Sequence, residues 1–355
     1  MTEILKSTQY DEYEAFASSY TDASFTQSIH WTKVKKNWGH EVVVSRDANG
    51  KIRGGMLILI RRLMPGFTFL YAPRGPVADI CDKEVFSELL DGAKAVAKKY
   101  RAFELKIDPM VLETDEEKIK VLKDFGFRFK PNADEYDTVQ RRYNYVLPDI
   151  QGKTPEELMA SFKPKCRYNI RVAEKHGVEC KAYGVEGVKD FTRLSVITGI
   201  RDQFPVRSEE YYAGMLEAFG PEHMRIYLCD YQGHKISGAM TCNWGGRTSY
   251  IFGASDNEFR NTMPNYIMQW TMMQWAIETN CKVYDFMGIA AKLDENSPTY
   301  GVYRFKTGFS GAVVAYAGEF DYVFNPLAYF IFSSMLTARK ILGNIKYKIK
   351  NWGKK

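Results

Sequence analysis

Twelve residues, YGVYRFKTGFSG from Tyr300 to Gly311, set one lysine among aromatic rings: Lys306 follows Phe305, with Tyr303 and Phe309 within a few positions. An ammonium beside aromatic walls can hold its charge next to a developing oxyanion, and such rings can stack a nucleobase. The same spacing suits a β-hairpin with one outward lysine. A second concentration of charge is FKPKCRYNIRVAEKHGVE, where Lys163, Lys165, Arg167, Arg171 and Lys175 fall in a stretch that otherwise reads as a helix. It is a solvated helix face, a membrane contact or a grip on something anionic. Lys163, Lys165 and Arg167 precede or open the helix, while Arg171 and Lys175 share a face at i, i+4 spacing.

Other chemistries are poorly served. The histidines (His30, His40, His176, His223, His234) stand in no nucleophile context and read as surface or packing residues. The six cysteines are scattered without a C-x-x-C pair or zinc-type spacing, so reduced, mostly buried thiols are expected, with no metal and no cofactor. Formal net charge is +6, yet Thr337 to Lys355 alone carries seven basic residues and no acidic one, which leaves the body close to neutral. The N-terminus is polar, and no apolar run approaches the ~18 residues of a spanning helix, so the cytoplasm is the expected compartment.

The elements that must position these residues form one unit used twice. KIRGGM (Lys51 to Met56) and KISGAM (Lys235 to Met240) each follow a strand and a turn, and each leads into a strand, a strand, a helix and a strand. The two helices are VFSELLDGAKAVAKKY and PNYIMQWTMMQWAIETN, the second opened by Pro264. A β-β-β-α-β unit of this order is the core of the GNAT acyltransferase fold. The expected class is therefore α+β, two tandem GNAT-like domains packed together, over 1–150 and 151–325, followed by a tail over 326–355. Between the units, one helix is expected from Thr154 to Gly177 and a second in VEGVKDFTRLSVITGIR. The connections APRGPVADICDKEVF and SDNEFRNTMPNYI lack the paired glycines that bring a backbone close to a pyrophosphate, which disfavours an acyl-coenzyme A donor.

Taken together, WTKVK, YAPRGPV, KIDP, FKPKCRYNIRVAEKHGVE, FGASDNEFRNTMPNYIMQW, YDFMGI, YRFKTGF and GEFDYVFNP resemble the FemABX family of aminoacyl-tRNA-dependent peptidoglycan peptidyltransferases, in family order and over most of the chain. The resemblance implies that Phe305 and Lys306 are the F-K pair at the transfer centre. It implies that Lys35 and Arg207 contact the diphosphate of a UDP-MurNAc-pentapeptide or lipid II acceptor, with Tyr211 lining the same cleft. Asp108 matches the family's position near the acceptor peptide and would orient or deprotonate its amine. The basic stretch from Lys163 to Lys175 would meet aminoacyl-tRNA. A tyrosine of the related cleft falls at Phe252, so a role needing that hydroxyl is in doubt. There is no room for the long coiled-coil arm of some members, which places the chain nearest the compact, arm-less type. The rival readings are an acyl-coenzyme A-dependent N-acyltransferase and a non-catalytic binding scaffold.

The tail, NPLAYFIFSSMLTARKILGNIKYKIKNWGKK, is different in kind. An apolar aromatic segment too short to span, followed by alternating Ile and Lys, suits a helix lying at an anionic membrane surface, on the inner face of the cell membrane. A helix docked on the protein with a frayed basic end is the alternative.

Overall fold

The structure, a computed structural model, describes residues 1–20, 23–64, 67–129, 138–290, 295 and 300–338. Its first half runs β1 (Thr2–Ile4), α1 (Tyr10–Ser19), α2 (Ile29–Val34), β2 (Gly39–Arg46), β3 (Ile52–Met64), β4 (Phe67–Ala72), α3 (Lys83–Tyr100), β5 (Ala102–Ile107), α4 (Glu116–Asp124), β6 (Arg128–Phe129) and β7 (Tyr143–Leu147). The second continues with α5 (Pro155–Ser161), α6 (Pro164–Lys175), β8 (Glu179–Tyr183), α7 (Val188–Asp202), α8 (Glu209–His223), β9 (Met224–Tyr231), β10 (His234–Trp244), β11 (Arg247–Ser255), α9 (Pro264–Glu278) and β12 (Val283–Gly288). It closes with α10 (Tyr300–Lys306), β13 (Ala312–Ala315), β14 (Phe320–Val323) and a helix, α11, over 326–338.

The repeat is present strand for strand. In the first unit β2, β3 and β4 pair antiparallel and β4 then pairs parallel with β5 across α3. In the second, β9, β10 and β11 pair antiparallel and β11 pairs parallel with β12 across α9. Lys51 and Lys235 follow equivalent hairpin turns, each with a left-handed glycine, Gly50 at φ 81° and Gly233 at φ 82°. Both hairpins also carry a register shift beside the turn.

Around this shared core the halves exchange strands. The first sheet is ordered β1-β2-β3-β4-β5-β14-β6 and the second β13-β7-β12-β11-β10-β9-β8. β14 comes from the end of the chain to lie antiparallel on β5, with Asp321 opposite Lys106, and β7 leaves the first half to pair antiparallel with β12. The division expected at residue 150 therefore does not follow the sheets. The exchange is locked by charge: the Lys106 Nζ lies 2.6 Å from both Glu319 and Asp321, all three buried. Burial works against the ammonium, but the two carboxylates hold its pKa above the ordinary lysine value.

The apolar residues gather into three cores. One lies between the first sheet and α3, one between the second sheet and α6 and α9, and the third mixes residues of both halves, including Tyr13, Trp31 and Val44 with Phe191, Phe219 and Trp244. Glu14 adds a polar tie across the halves, accepting from Ser28 Oγ, the Ile29 N–H and Trp244 Nε1. All six cysteines are free thiols, four of them buried.

Two expectations need correction. The stretch from Thr154 to Gly177 is two helices, because Pro164 cannot continue the first and instead opens α6 at its first turn. Thr154 does cap α5, with Glu157 returning the bond as a capping box, and Gly177 stops α6 at φ 77°. The Tyr300 to Gly311 segment is no hairpin but α10 with a single tight turn, Thr307–Phe309, after it.

Candidate active site

Lys306 is 4 % exposed and aims its Nζ at three main-chain carbonyls at the end of β12, Phe286 at 2.7 Å, Met287 at 3.3 Å and Gly288 at 2.8 Å. The outward lysine is thus excluded. Among the glycines of this segment, Gly311 permits close packing, since a Cβ there would collide with the Val146 carbonyl oxygen. Burial lowers the Lys306 pKa to about 8, against which the Asp285 carboxylate raises it. Asp285 also accepts the Met287 N–H at 2.7 Å and the Arg247 Nη1 at 3.1 Å. It thereby holds Met287 in its left-handed turn at φ 59° and fixes the carbonyls that receive the ammonium.

Phe305 and Lys306 lie on a cavity of about 410 Å³ whose other walls come from α7, the segment after it, β11 and α9, including Thr198, Phe204, Tyr250 and Asn265. The Asn265 Oδ1 is buried without a protein partner, an acceptor left for a ligand N–H or O–H. Phe305 divides this space from a second cavity of about 320 Å³, where Lys163, Lys165 and Arg304 converge with no carboxylate among the described lining residues. The two elements are fastened together, since the Lys163 N–H donates to the Gly308 carbonyl. Burial pushes the Cys166 thiol in that wall up to about 12, too high for a thiolate nucleophile near neutral pH.

The remaining basic residues of the stretch part company. Arg167 is spent on structure, its Nη1 bonding the carbonyls of Ala160 and Phe162 at the end of α5. Arg171 and Lys175 stand exposed on α6, outside both cavities.

Lys35, Arg207 and Tyr211 are brought together where α2 of the first half meets α8 of the second. The Lys35 Nζ lies 4.7 Å from the Trp31 ring centre and 5.8 Å from that of Tyr211, and the Arg207 guanidinium lies 5.0 Å from Tyr211. Lys35 and Tyr211 line a cavity of about 380 Å³ with Trp38 and Ser208. Burial, Arg207 and Arg61 all lower the Lys35 pKa, and among the described residues no carboxylate pairs with Lys35, Arg61 or Arg207. Lys33, Lys35 and Lys36 share the described wall of this cavity with one carboxylate, Glu210, and an excess of cations backed by rings suits an anion. Phe252 sits behind it, edge-on to Tyr212 at 5.4 Å, which in turn adjoins Tyr211 at 6.4 Å.

The anion pocket and the Lys306 cavity are joined by one short segment. Phe204 lines the Lys306 cavity and Ser208 the anion pocket, so their Cα atoms are at most about 14 Å apart. The segment folds back on α7 because Gly199 has no side chain; a Cβ there would meet Val206 Cγ1 at 2.6 Å.

Asp108 does not join either site. Fully buried, it accepts from Tyr71 Oη at 2.7 Å and from the Arg74 N–H at 2.6 Å, holding Arg74 in a left-handed turn at φ 56°. Burial raises its pKa to about 6. The structure gives it a positioning role in the loop after β4 in place of the expected contact with an amine. Sequence reasoning missed Arg61, Arg304, Asn265 and Asp285; the signals were Arg61-Arg62 interrupting the apolar run of β3, and the places of Arg304, Asn265 and Asp285 inside YRFKTGF, FGASDNEFRNTMPNYIMQW and YDFMGI.

The FemAB family profile matches residues 8–232 and 229–336. The chain belongs to the FemAB family. A lipid II:glycine glycyltransferase of Staphylococcus aureus (strain USA300) is 28 % identical over 96 % of this chain and 98 % of its own length. A crystal structure of FemX superposes with TM-score 0.84 at 26 % identity, covering 93 % of this chain and 99 % of that one. A tandem GNAT protein from the clavulanic acid biosynthesis pathway shares the fold, with TM-score 0.53 at 10 % identity over 92 % of this chain and 99 % of that one. The FemAB chain is thus two GNAT-like units, and among its described residues no group of His, Cys, Asp or Glu could hold a metal ion.

Proposed function

We propose that this chain transfers an aminoacyl group from aminoacyl-tRNA to an amine of the stem peptide of a peptidoglycan precursor, lipid II in preference to its nucleotide-linked form. Family membership and the glycyltransferase relative support a transferase of this kind. The observation that carries the reading is a pair of cation-bearing spaces, one beside Phe305 at Lys163, Lys165 and Arg304, and one at Lys35, with Arg207 over Tyr211 next to it, linked to the Lys306 cavity by the segment 204–208. The first suits the phosphates of an RNA end, with Phe305 to stack its terminal base. The second suits a diphosphate, and a peptide arm reaches from it to Lys306 along 204–208, a few residues at ~3.3 Å each.

The donor ester is already activated, so the deprotonated amine attacks its carbonyl carbon. The C–N bond forms, the ester C–O bond breaks, and the ribose hydroxyl leaves with the proton the amine gives up. Lys306 stabilises the intervening oxyanion. Its hydrogen on Met287, at 3.3 Å the longest of the three bonds, is the one most easily handed over.

An acyl-coenzyme A donor fits worse. The N-terminus of α3, where a pyrophosphate would sit, is capped by the Asp82 carboxylate on the Val85 N–H, and α9 opens on Met263-Pro264. Incubation with charged tRNA and either acceptor, read by mass spectrometry, tests the proposal: the acceptor should gain one aminoacyl residue only when charged tRNA is present. Product formed from acyl-coenzyme A alone would overturn it.

A further inference from the structure

Helix α11 reverses the pattern of a surface helix. Its sequence over 326–338, PLAYFIFSSMLTA, contains no charged residue. One face docks: Ala328 is buried, Phe332 meets Phe103 at 5.2 Å and Phe69 at 6.5 Å, and Tyr329 Oη donates to Asp321. The opposite face, which in a soluble protein carries Lys and Glu, holds Leu327 at 70 % and Phe330 at 69 % exposure, with Ile331, Met335 and Leu336 also exposed.

The charge of the C-terminal residues decides the occupant. From Tyr322 onward the sequence has no acidic residue, and seven Lys and Arg fall between Arg339 and Lys355, which lie outside the described residues. Two copies meeting through this face would crowd those cations together, and five side chains fall short of the roughly 800 Å² per partner of a stable dimer. An anionic bilayer instead matches both the apolar face and the charge. The described part of the helix is too short to cross it: the thirteen residues rise about 20 Å against a ~30 Å hydrocarbon core, and no helix of the described residues is long and apolar enough to span.

The location is informative too. Phe332 packs on Phe69, Phe69 packs on Trp38 at 6.3 Å, and Trp38 lines the Lys35 cavity beneath Arg61. Three rings therefore join the apolar helix to the anion pocket.

We propose that α11 lies in the headgroup layer of an anionic bilayer with Leu327, Phe330 and Ile331 inserted, which sets the Lys35, Arg61 and Arg207 pocket at the membrane surface to take the diphosphate of an acceptor whose lipid stays in the bilayer. The docking rests on the helix alone; its use for an acceptor rests on the function proposed above.

The full-length chain is sedimented with vesicles of phosphatidylglycerol and phosphatidylcholine, and with vesicles of phosphatidylcholine only. Binding should require the anionic lipid, weaken with salt, and fall at least tenfold in a Phe330→Glu, Ile331→Glu double variant. A Phe330→Ser, Ile331→Ser pair serves if the first fails to fold. The melting curve and transfer to a water-soluble, nucleotide-linked acceptor should be unchanged, while transfer to a lipid-linked acceptor in vesicles falls. Equal vesicle binding by variant and parent, no binding by the parent, or a dimer that the double variant dissociates would each overturn the docking. A parent chain that binds anionic vesicles yet modifies neither acceptor would leave the docking standing and remove the proposed function.

Discussion

Lys306 combines two demands that pull apart, a charge for the oxyanion and a site that disfavours charge. Because its pKa is about 8, the ammonium is lost as pH rises through 8, so kcat should show a falling limb there. Lys306→Arg should move that limb out of range, and Asp285→Asn, which removes the carboxylate that raises the pKa, should shift it to lower pH; unchanged pH profiles would reject the role. Lys306→Met should cost roughly 10²- to 10³-fold in kcat and, by taking the donor from the buried Phe286 carbonyl and the part-buried Met287 and Gly288 carbonyls, also about 1–3 kcal/mol of stability. The linkage has a definite sign: the folded pKa is depressed below 10.5, so the unfolded chain binds the extra proton and the parent gains stability as pH rises from 8 towards 10.5. At the other pocket, Lys35→Ala and Arg207→Ala should raise KM for the acceptor on the order of tenfold to a hundredfold, the worth of one charge-assisted bond to a diphosphate, with KM for charged tRNA little changed.

At the scale of elements, the segment from Gln203 to Ser208 sets the distance between the pockets, and Gly199→Ala tests it. The added methyl meets Val206 and, at 2.9 Å, the Phe204 carbonyl oxygen, so the segment must shift and take Arg207 with it. Steady-state kinetics should show a higher KM for the acceptor than in the parent, with the chemical step less affected. The same scale shows what a sequence can carry. The duplicated unit was legible because each copy repeats a hairpin glycine, an apolar strand pair and a periodic helix in fixed order. α10 was not, since seven residues holding Gly301, Val302 and two tyrosines have little helical preference of their own, and packing under β12 decides their state. The burial of Lys306 was hidden for a related reason. Its partners are main-chain carbonyls, which every residue possesses and no side chain advertises.

For the whole molecule, the mixed core and the exchanged strands make the halves one cooperative body. Calorimetry should give a single transition, and residues 1–150 expressed alone should not fold, because they carry β7 without β12 and lack β14. Lys106→Ala, which removes the ammonium between the buried Glu319 and Asp321 carboxylates, should cost about 3–5 kcal/mol, read as a lower Tm. The exchange was illegible in sequence, as FDYV reads like any short strand and nothing in it names its partner. It also writes a timetable into synthesis. Lys106 and Asp321 are 215 positions apart, so at about 5–20 residues per second the ribosome delivers the last strand some 10 to 40 s after the edge it must cover. Through that interval Phe103, Leu105 and Ile107 line an open rim, the kind of surface that recruits chaperones or neighbouring nascent chains.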